Sequence, residues 1–239
     1  MMTGCGLSQE TSGYEEDMTM QTVGDSTIYG LACDGCNDTI VVYLRLPYTD
    51  SNPDTLNVLE AVKQHRLMGT PRIGDKLAII RNGQDSTKAD LVIVMEQLLG
   101  QWRYLQYPTL HQRADMEGHT LEQKISQLDD SLKILLDTPC EYGIDIKNDN
   151  MMFVLGSRQQ AMTSDEESLI EYPTVAFYNE WHLFNGRFVM LFSTTDSTDV
   201  MQTTLTDTAA IELLETDSLV LQFKDGQRCY YRKVEEPKE

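Results

Sequence analysis

The chain has 239 residues, 41% of them apolar, and carries 38 acidic against 19 basic side chains for a formal charge of −19. That length suits two small domains better than one all-β domain, and the apolar fraction excludes wholesale disorder. A field of that sign repels nucleic acid phosphates and anionic bilayers, so the acidity is read as a solubility surface, and no run of about 18 apolar residues predicts a spanning helix.

The first residues lack a basic n-region and an apolar h-region. Met1-Met2-Thr3-Gly4-Cys5 nonetheless resembles the tail of a secretory signal: one short apolar residue, small residues, then the cysteine that receives lipid in a bacterial lipobox. Residues 6–21 are polar, with Glu10, Glu15, Glu16 and Asp17. Such a stretch cannot bury enough surface to fold alone, so 1–21 is expected to be a flexible tether behind Cys5 as the lipid attachment site. The rival reading is a chance cysteine. Cys33, Cys36, Cys140 and Cys229 remain, an even number that an oxidising envelope permits to pair.

From Thr27 the pattern turns strand-like. Thr27–Ala32 and Thr39–Leu44 flank Asp34-Gly35, a short-range hairpin signal. Asn52-Pro53 then predicts a helix start, with Asn as N-cap, Pro at the first helical position and Leu56, Leu59 and Val62 on one face. Gly69-Thr70-Pro71 stops it. Lys76–Arg81 and Ala89–Met95 read as strands around the turn-rich 82–86. Four or five strands and one helix over 22–96 suggest a small OB-like barrel.

A junction is expected near Gln97–Gly100. Gly100–Leu105 enters a strand, and Thr120 with Gln123 forms a capping-box pattern. Leu121, Ile125, Leu128, Leu132 and Leu135 then make one apolar stripe of a helix over 120–137, read as core or lid packing. Strands follow at 142–146, 151–155, 173–178, 181–184, 187–192, 208–214, 218–223 and 227–232. Asn148-Asp149-Asn150, Asn185-Gly186, Asp217 and Asp225-Gly226 supply turns. Consecutive hairpins of this length predict a meander or barrel, so the chain is mainly β with two domains.

Gly100-Gln101-Trp102 resembles the lipocalin Gly-X-Trp signature. Leu213-Leu214-Glu215-Thr216-Asp217-Ser218-Leu219-Val220-Leu221, Asp225-Gly226 and Tyr230-Tyr231-Arg232 resemble the last strands of lipocalin-like domains in Bacteroidetes-type lipoproteins. The likeness covers 97–235 and is specific at its two ends. It implies an antiparallel barrel with Trp102 plugging the closed end. The helix at 120–137 departs from the family pattern and bears on whether the mouth is open.

Chemistry is sparse. Cys33-Asp34-Gly35-Cys36 admits three readings: a structural disulfide or buried thiols, a redox pair, or half a zinc site. A redox pair needs a helix N-terminus to lower its thiol pKa, and a structural zinc site needs a second knuckle. A structural disulfide or buried thiols at Cys33 and Cys36 is therefore the favoured reading. His65, His111, His119 and His182 are scattered, and Asp115 and Glu117 between two of them fix no common face. Asp129-Asp130 and Glu166-Glu167 read as solvated, and Asp145, Asp149, Asp196 and Asp199 show no EF-hand spacing. No nucleophile elbow, zinc-protease helix or phosphate loop occurs. Trp102, Trp181, Phe177, Phe184, Phe188 and Phe192 are core aromatics or, in an open barrel, cavity lining; Trp102 and Trp181 are the named lining or plug candidates.

These readings converge on a non-enzymatic lipoprotein of the bacterial cell envelope, facing outer membrane or periplasm, without cofactor or metal. It would bind a small hydrophobic ligand or another envelope component. The alternatives are an interaction module with a filled barrel and, behind it, a CxxC thiol oxidoreductase.

Overall fold

The computed structural model describes residues 23–47, 52–110, 118, 120–156, 169–173, 175–195 and 201–232. Cys5 and the tether lie outside them, as do His111, His119, Asp115, Glu117, Glu166, Glu167, Asp196 and Asp199. Mainly β structure is present, in two principal sheets.

The first comprises β1 (Ile28–Ala32), β2 (Ile40–Arg45), β3 (Asp54–Asn57), β4 (Leu67–Met68), β5 (Lys76–Arg81) and β6 (Ala89–Val94), with helix α1 (Leu59–Lys63) between β3 and β4. Their order is β3-β2-β1-β5-β6-β4, antiparallel except for β4 beside β6. A parallel bridge from Asn57 to Lys88 brings the end of β3 to the start of β6, curling the sheet around Val41, Tyr43, Leu56, Leu77, Ile79 and Val92.

The helix expected from Asn52 is corrected. Residues 54–57 form a strand paired with 40–43, and only Leu59–Lys63 is helical. Leu56 is buried in the sheet core, and that burial outweighs the local capping signal; Pro53, lacking an N–H, is tolerated because β3 is the sheet's edge. The Asp34-Gly35 pair is also not a two-residue hairpin. The first tie below the strands joins the Cys33 amide to the Val42 carbonyl, and a second turn closes from Asn37 to Ile40. Asn37 Oδ1 accepts from the amides of Thr39 and Ile40, which draws the longer loop together.

Helix α2 (Met95–Leu98) leads into the second half: β7 (Gly100–Gln106), β8 (Thr109–Leu110), α3 (Leu121–Ser126), α4 (Asp130–Asp137), β9 (Cys140–Ile146), β10 (Met152–Gly156), β11 (Ile170–Glu171), β12 (Glu180–Phe184), β13 (Arg187–Thr195), β14 (Met201–Leu214), β15 (Ser218–Gln222) and β16 (Gln227–Arg232). Eight of these strands pair antiparallel in the order β10-β9-β7-β16-β15-β14-β13-β12. Among the described residues the two edges meet at one end only, where the Trp181 amide donates to Asn150 O at 2.7 Å and the Met152 amide to Asn179 O at 3.0 Å. The result is a nearly closed barrel. β14 curves it, with register shifts at Phe192/Ser193 against β13 and at Ile211/Leu213 against β15. β8 and β11 pair separately.

The capping box at Thr120 and Gln123 is present, but the expected continuous helix is broken at 127–129 into α3 and α4. Its apolar stripe is corrected too. Leu128 is buried and Leu132 half-buried, whereas Leu121, Ile125 and Leu135 are exposed, and among the described residues none of the five joins either hydrophobic core. Among the described residues of 173–178, expected as a strand, none joins a ladder, and Pro173 itself offers no amide to one.

β6 is buried on both faces. Val92 and Val94 face the first sheet's core, while Leu91 and Ile93 join Ala78, Met95 and Leu98 in a second core shared with the barrel residues Trp102, Trp181 and Phe188. The β12–β13 turn reinforces this contact. Asn185 and Gly186 both have positive φ, as a type I′ turn requires. Asn185 Oδ1 accepts from the Ser26 amide at 2.8 Å, and the Asn185 amide donates to Asp25 Oδ1 at 2.8 Å. A Cβ on Gly186 would stand 2.5 Å from Leu91 Cδ2 and 3.0 Å from Ile80 Cγ1. Gly186→Ala is therefore expected to lower stability by roughly 1–3 kcal/mol through both the left-handed backbone and the clash. Gly83→Ala, where a Cβ meets nothing within 4 Å, should leave the denaturation midpoint nearly unchanged. Equal midpoints for the two variants would contradict this account of the seam.

Candidate ligand cavity in the barrel

The barrel interior divides into a filled end and an open one. Trp102 and Trp181, named from sequence as lining or plug residues, both sit in the filled end, with 0% and 1% exposure, and neither lines the open space. Trp181 stacks on Phe188 with centroids 5.6 Å apart and donates its indole N–H to Lys147 O at 2.9 Å. Trp102 donates its own to Leu98 O at 2.7 Å. Buried indoles are stable only with such partners. Phe177 and Phe184 are not core: Phe177 is exposed and packs edge-on against Phe192.

Arg232, at the end of the last strand, stacks its guanidinium 4.0 Å over the Trp102 ring. Its three nitrogens donate to Thr216 O at 2.8 Å, Leu99 O at 2.7 Å and Gln97 O at 2.8 Å. One side chain thus ties the junction, the β14–β15 turn and the tryptophan to β16.

Above this floor lies a cavity of about 650 Å³. Inward positions on alternating strand residues wall it: Tyr104 from β7, Ile144 from β9, Val154 from β10, Met190 from β13, Leu205 and Asp207 from β14, and Arg228 and Tyr230 from β16. Glu171 at the end of β11 and Tyr172, Pro173, Val175, Ala176 and Tyr178 after it also border the cavity. Ile144, Val154, Val175, Met190 and Leu205 give it an apolar side.

The opposite side is polar. The Tyr178 hydroxyl donates to Asp207 Oδ2 at 3.0 Å, and Arg228 donates to Asp225 Oδ2 at 3.1 Å while lying 4.3 Å over the Phe223 ring. Tyr104 and Tyr230 meet edge to face at 4.9 Å. Burial holds the Tyr230 and Tyr178 hydroxyls well above the ordinary tyrosine range, and Asp207 adds to the effect at Tyr178. Tyr104 is raised by burial as well. Burial lowers the Arg228 pKa, but Tyr230, Tyr104 and Asp225 outweigh it, so the net shift is upward. Near neutral pH the cavity therefore holds neutral phenols beside a fixed cation.

The remaining sequence candidates lie elsewhere. Cys33 and Cys36 are separate thiols in a loop: Cys36 Sγ donates to Val42 O at 3.3 Å and Cys33 Sγ approaches Leu31 O at 3.7 Å. Neither stands at a helix N-terminus. Asp145 is buried in β9, within the strand expected at 142–146, and pairs with Lys147 at 2.8 Å. Burial lowers the His182 pKa, and His65 borders a separate groove of about 560 Å³ between 62–70 and 213–217. Among the described residues no three His, Cys, Asp or Glu side chains gather as a metal would need. No described helix is long and apolar enough to cross a membrane. No family model, curated protein or solved structure matches the chain.

The cavity residues Arg228, Asp207, Tyr104 and Tyr178 were not picked out from sequence. Alternation within β14 and β16 carried a signal, since Asp207 and Arg228 fall on the inward parity, but parity is legible only once the barrel face is known.

Replacing Arg232 by Met removes the charged donor and leaves three carbonyls and the Trp102 face unmatched. The expected loss is roughly 2–4 kcal/mol in chemical denaturation. Arg228→Met, whose guanidinium has a single carboxylate partner at the cavity, should cost clearly less. A larger loss for Arg228→Met would refute the assignment of Arg232 as the tie.

Proposed function

We propose that this protein is a non-catalytic binder that takes a small, largely apolar molecule into the open end of its barrel. The observation that carries this reading is the unfilled space of about 650 Å³ between aliphatic and tyrosine walls, above a floor already packed by two tryptophans. Its size lies within the range of roughly 300–1,000 Å³ typical of ligand pockets. We read 97–235 as lipocalin-like, supported by the position of Trp102 at the start of the first barrel strand and by the Arg232 stack. We read 22–96 as OB-like, supported by β1 lying between β2 and β5 and by the parallel bridge from Asn57 to Lys88.

The test is titration with the uncharged dye N-phenylnaphthylamine, whose fluorescence rises in apolar surroundings. Binding is expected on the order of micromolar. Val154→Trp, which fills the cavity from its wall, should weaken it at least about tenfold, while Phe153→Trp on the outward face of the same strand should not. Dye binding unaffected by Val154→Trp would remove the cavity as the site.

A second reading, an interaction module, is favoured by the exposed Leu121, Ile125, Ile134 and Leu135 on α3 and α4. For location, we keep the reading of a cell-envelope lipoprotein, supported by Met2-Thr3-Gly4-Cys5 and the polar stretch behind it. Intact-mass measurement on protein extracted from native membranes should show Cys5 bearing a lipid adduct. An unmodified Cys5 there would overturn it.

A further inference from the structure

The cavity's two sides differ in chemistry, and the difference constrains what fits. One side is aliphatic. The other gathers the Tyr104 and Tyr230 hydroxyls, Arg228, Asp225 and Asp207. Arg228 is already matched by Asp225 at 3.1 Å, and Asp207 and Glu171 add two further carboxylates to the lining, so these four groups sum to two negative charges. That sits inside a protein of formal charge −19. An anionic head placed there meets a guanidinium already opposed by Asp225, with the carboxylates of Asp207 and Glu171 in the same lining. An ammonium head meets Arg228, which cannot be discharged.

Both hydrogen-bonding senses are nonetheless on offer. The Tyr104 hydroxyl has no hydrogen-bond partner among the described residues, although Tyr104 is 8% exposed. It can donate or accept, and Asp207 retains acceptor capacity beyond the bond from Tyr178. Tyr104 lines the cavity, so a ligand head group placed there can take up its hydroxyl.

We infer that the ligand is an uncharged amphiphile, its aliphatic or alicyclic body against Val154, Met190 and Leu205 and a hydroxyl or amide end at Tyr104, Arg228 and Asp207. This rests on the cavity being the binding site. The polar side then acts as a filter on head-group charge, rejecting carboxylates of the same chain length.

Three probes with one chain separate these statements: decanol, decanoate and decylammonium, each competing against N-phenylnaphthylamine on the full-length protein. Decanol is expected to compete at least about tenfold better than decanoate and at least as well as decylammonium. In Asp207→Asn, the preference for decanol over decanoate is expected to shrink about tenfold, with thermal melting confirming the fold. Decanoate equal to decanol in the native protein overturns the inference, as does decylammonium binding about tenfold more tightly than decanol. Dye binding that none of the three displaces also overturns it, but leaves the cavity reading intact. Failure of the dye itself to bind removes the cavity reading on which the inference stands.

Discussion

The barrel depends on how its first and last strands are fastened, and one guanidinium does much of that. Arg232 lies flat on Trp102 and satisfies the carbonyls of Gln97, Leu99 and Thr216. The β16–β7 ladder beside it is short, with Tyr231 opposite Arg103 and Arg232 opposite Trp102. A short ladder gives little resistance to splaying, so the charged donor bound to three otherwise open carbonyls holds the seam where strand pairing alone would not. The same contact fixes the level of the barrel floor, since Trp102 cannot tilt into the cavity while its ring face and indole N–H are both engaged.

From that floor the division of the interior follows. Near it, Trp102, Trp181 and Phe188 fill the space where the two sheet edges meet through Asn150–Trp181 and Met152–Asn179. At the other end no described residues join β10 to β12, and the side chains that face the cavity are tyrosine, valine, methionine and leucine with Arg228 and Asp207 among them. The phenols bring bulk with a polar tip, which is why this end carries hydrogen-bonding groups without being hydrophilic throughout. The first sheet adds rigidity from outside: Leu91 and Ile93 turn toward the barrel, and the Asn185-Gly186 turn is held by Asp25 and Ser26.

Much of this architecture was legible in local patterns. Most ladders sit within a residue or two of where alternation and turn residues put them, and the Thr120–Gln123 capping box formed as its spacing demands. The failures share a cause. Asn52-Pro53 carries a good helix start, yet Leu56 is worth more in the sheet core than a capped turn is worth locally. The stripe from Leu121 to Leu135 has helical period, but period says only that apolar residues share a face, not that anything lies against it. Asp34-Gly35 made a turn inside a longer loop because Asn37 captured two amides downstream.

The sequence by itself determined the predominance of β structure, the positions of most strands, the Asn185-Gly186 turn and the acidity that sets the protein's field. These are consequences of period, propensity and charge, which act within a few residues or by simple summation. Only the tertiary structure decided that both tryptophans fill the barrel rather than line its cavity, and which residues face that cavity. It also decided that Arg232 rather than Arg228 fastens the seam, and that β6 is buried on both faces. Those outcomes depend on register between strands far apart in the chain, where a shift of one residue exchanges the inside for the outside. No local pattern records that register.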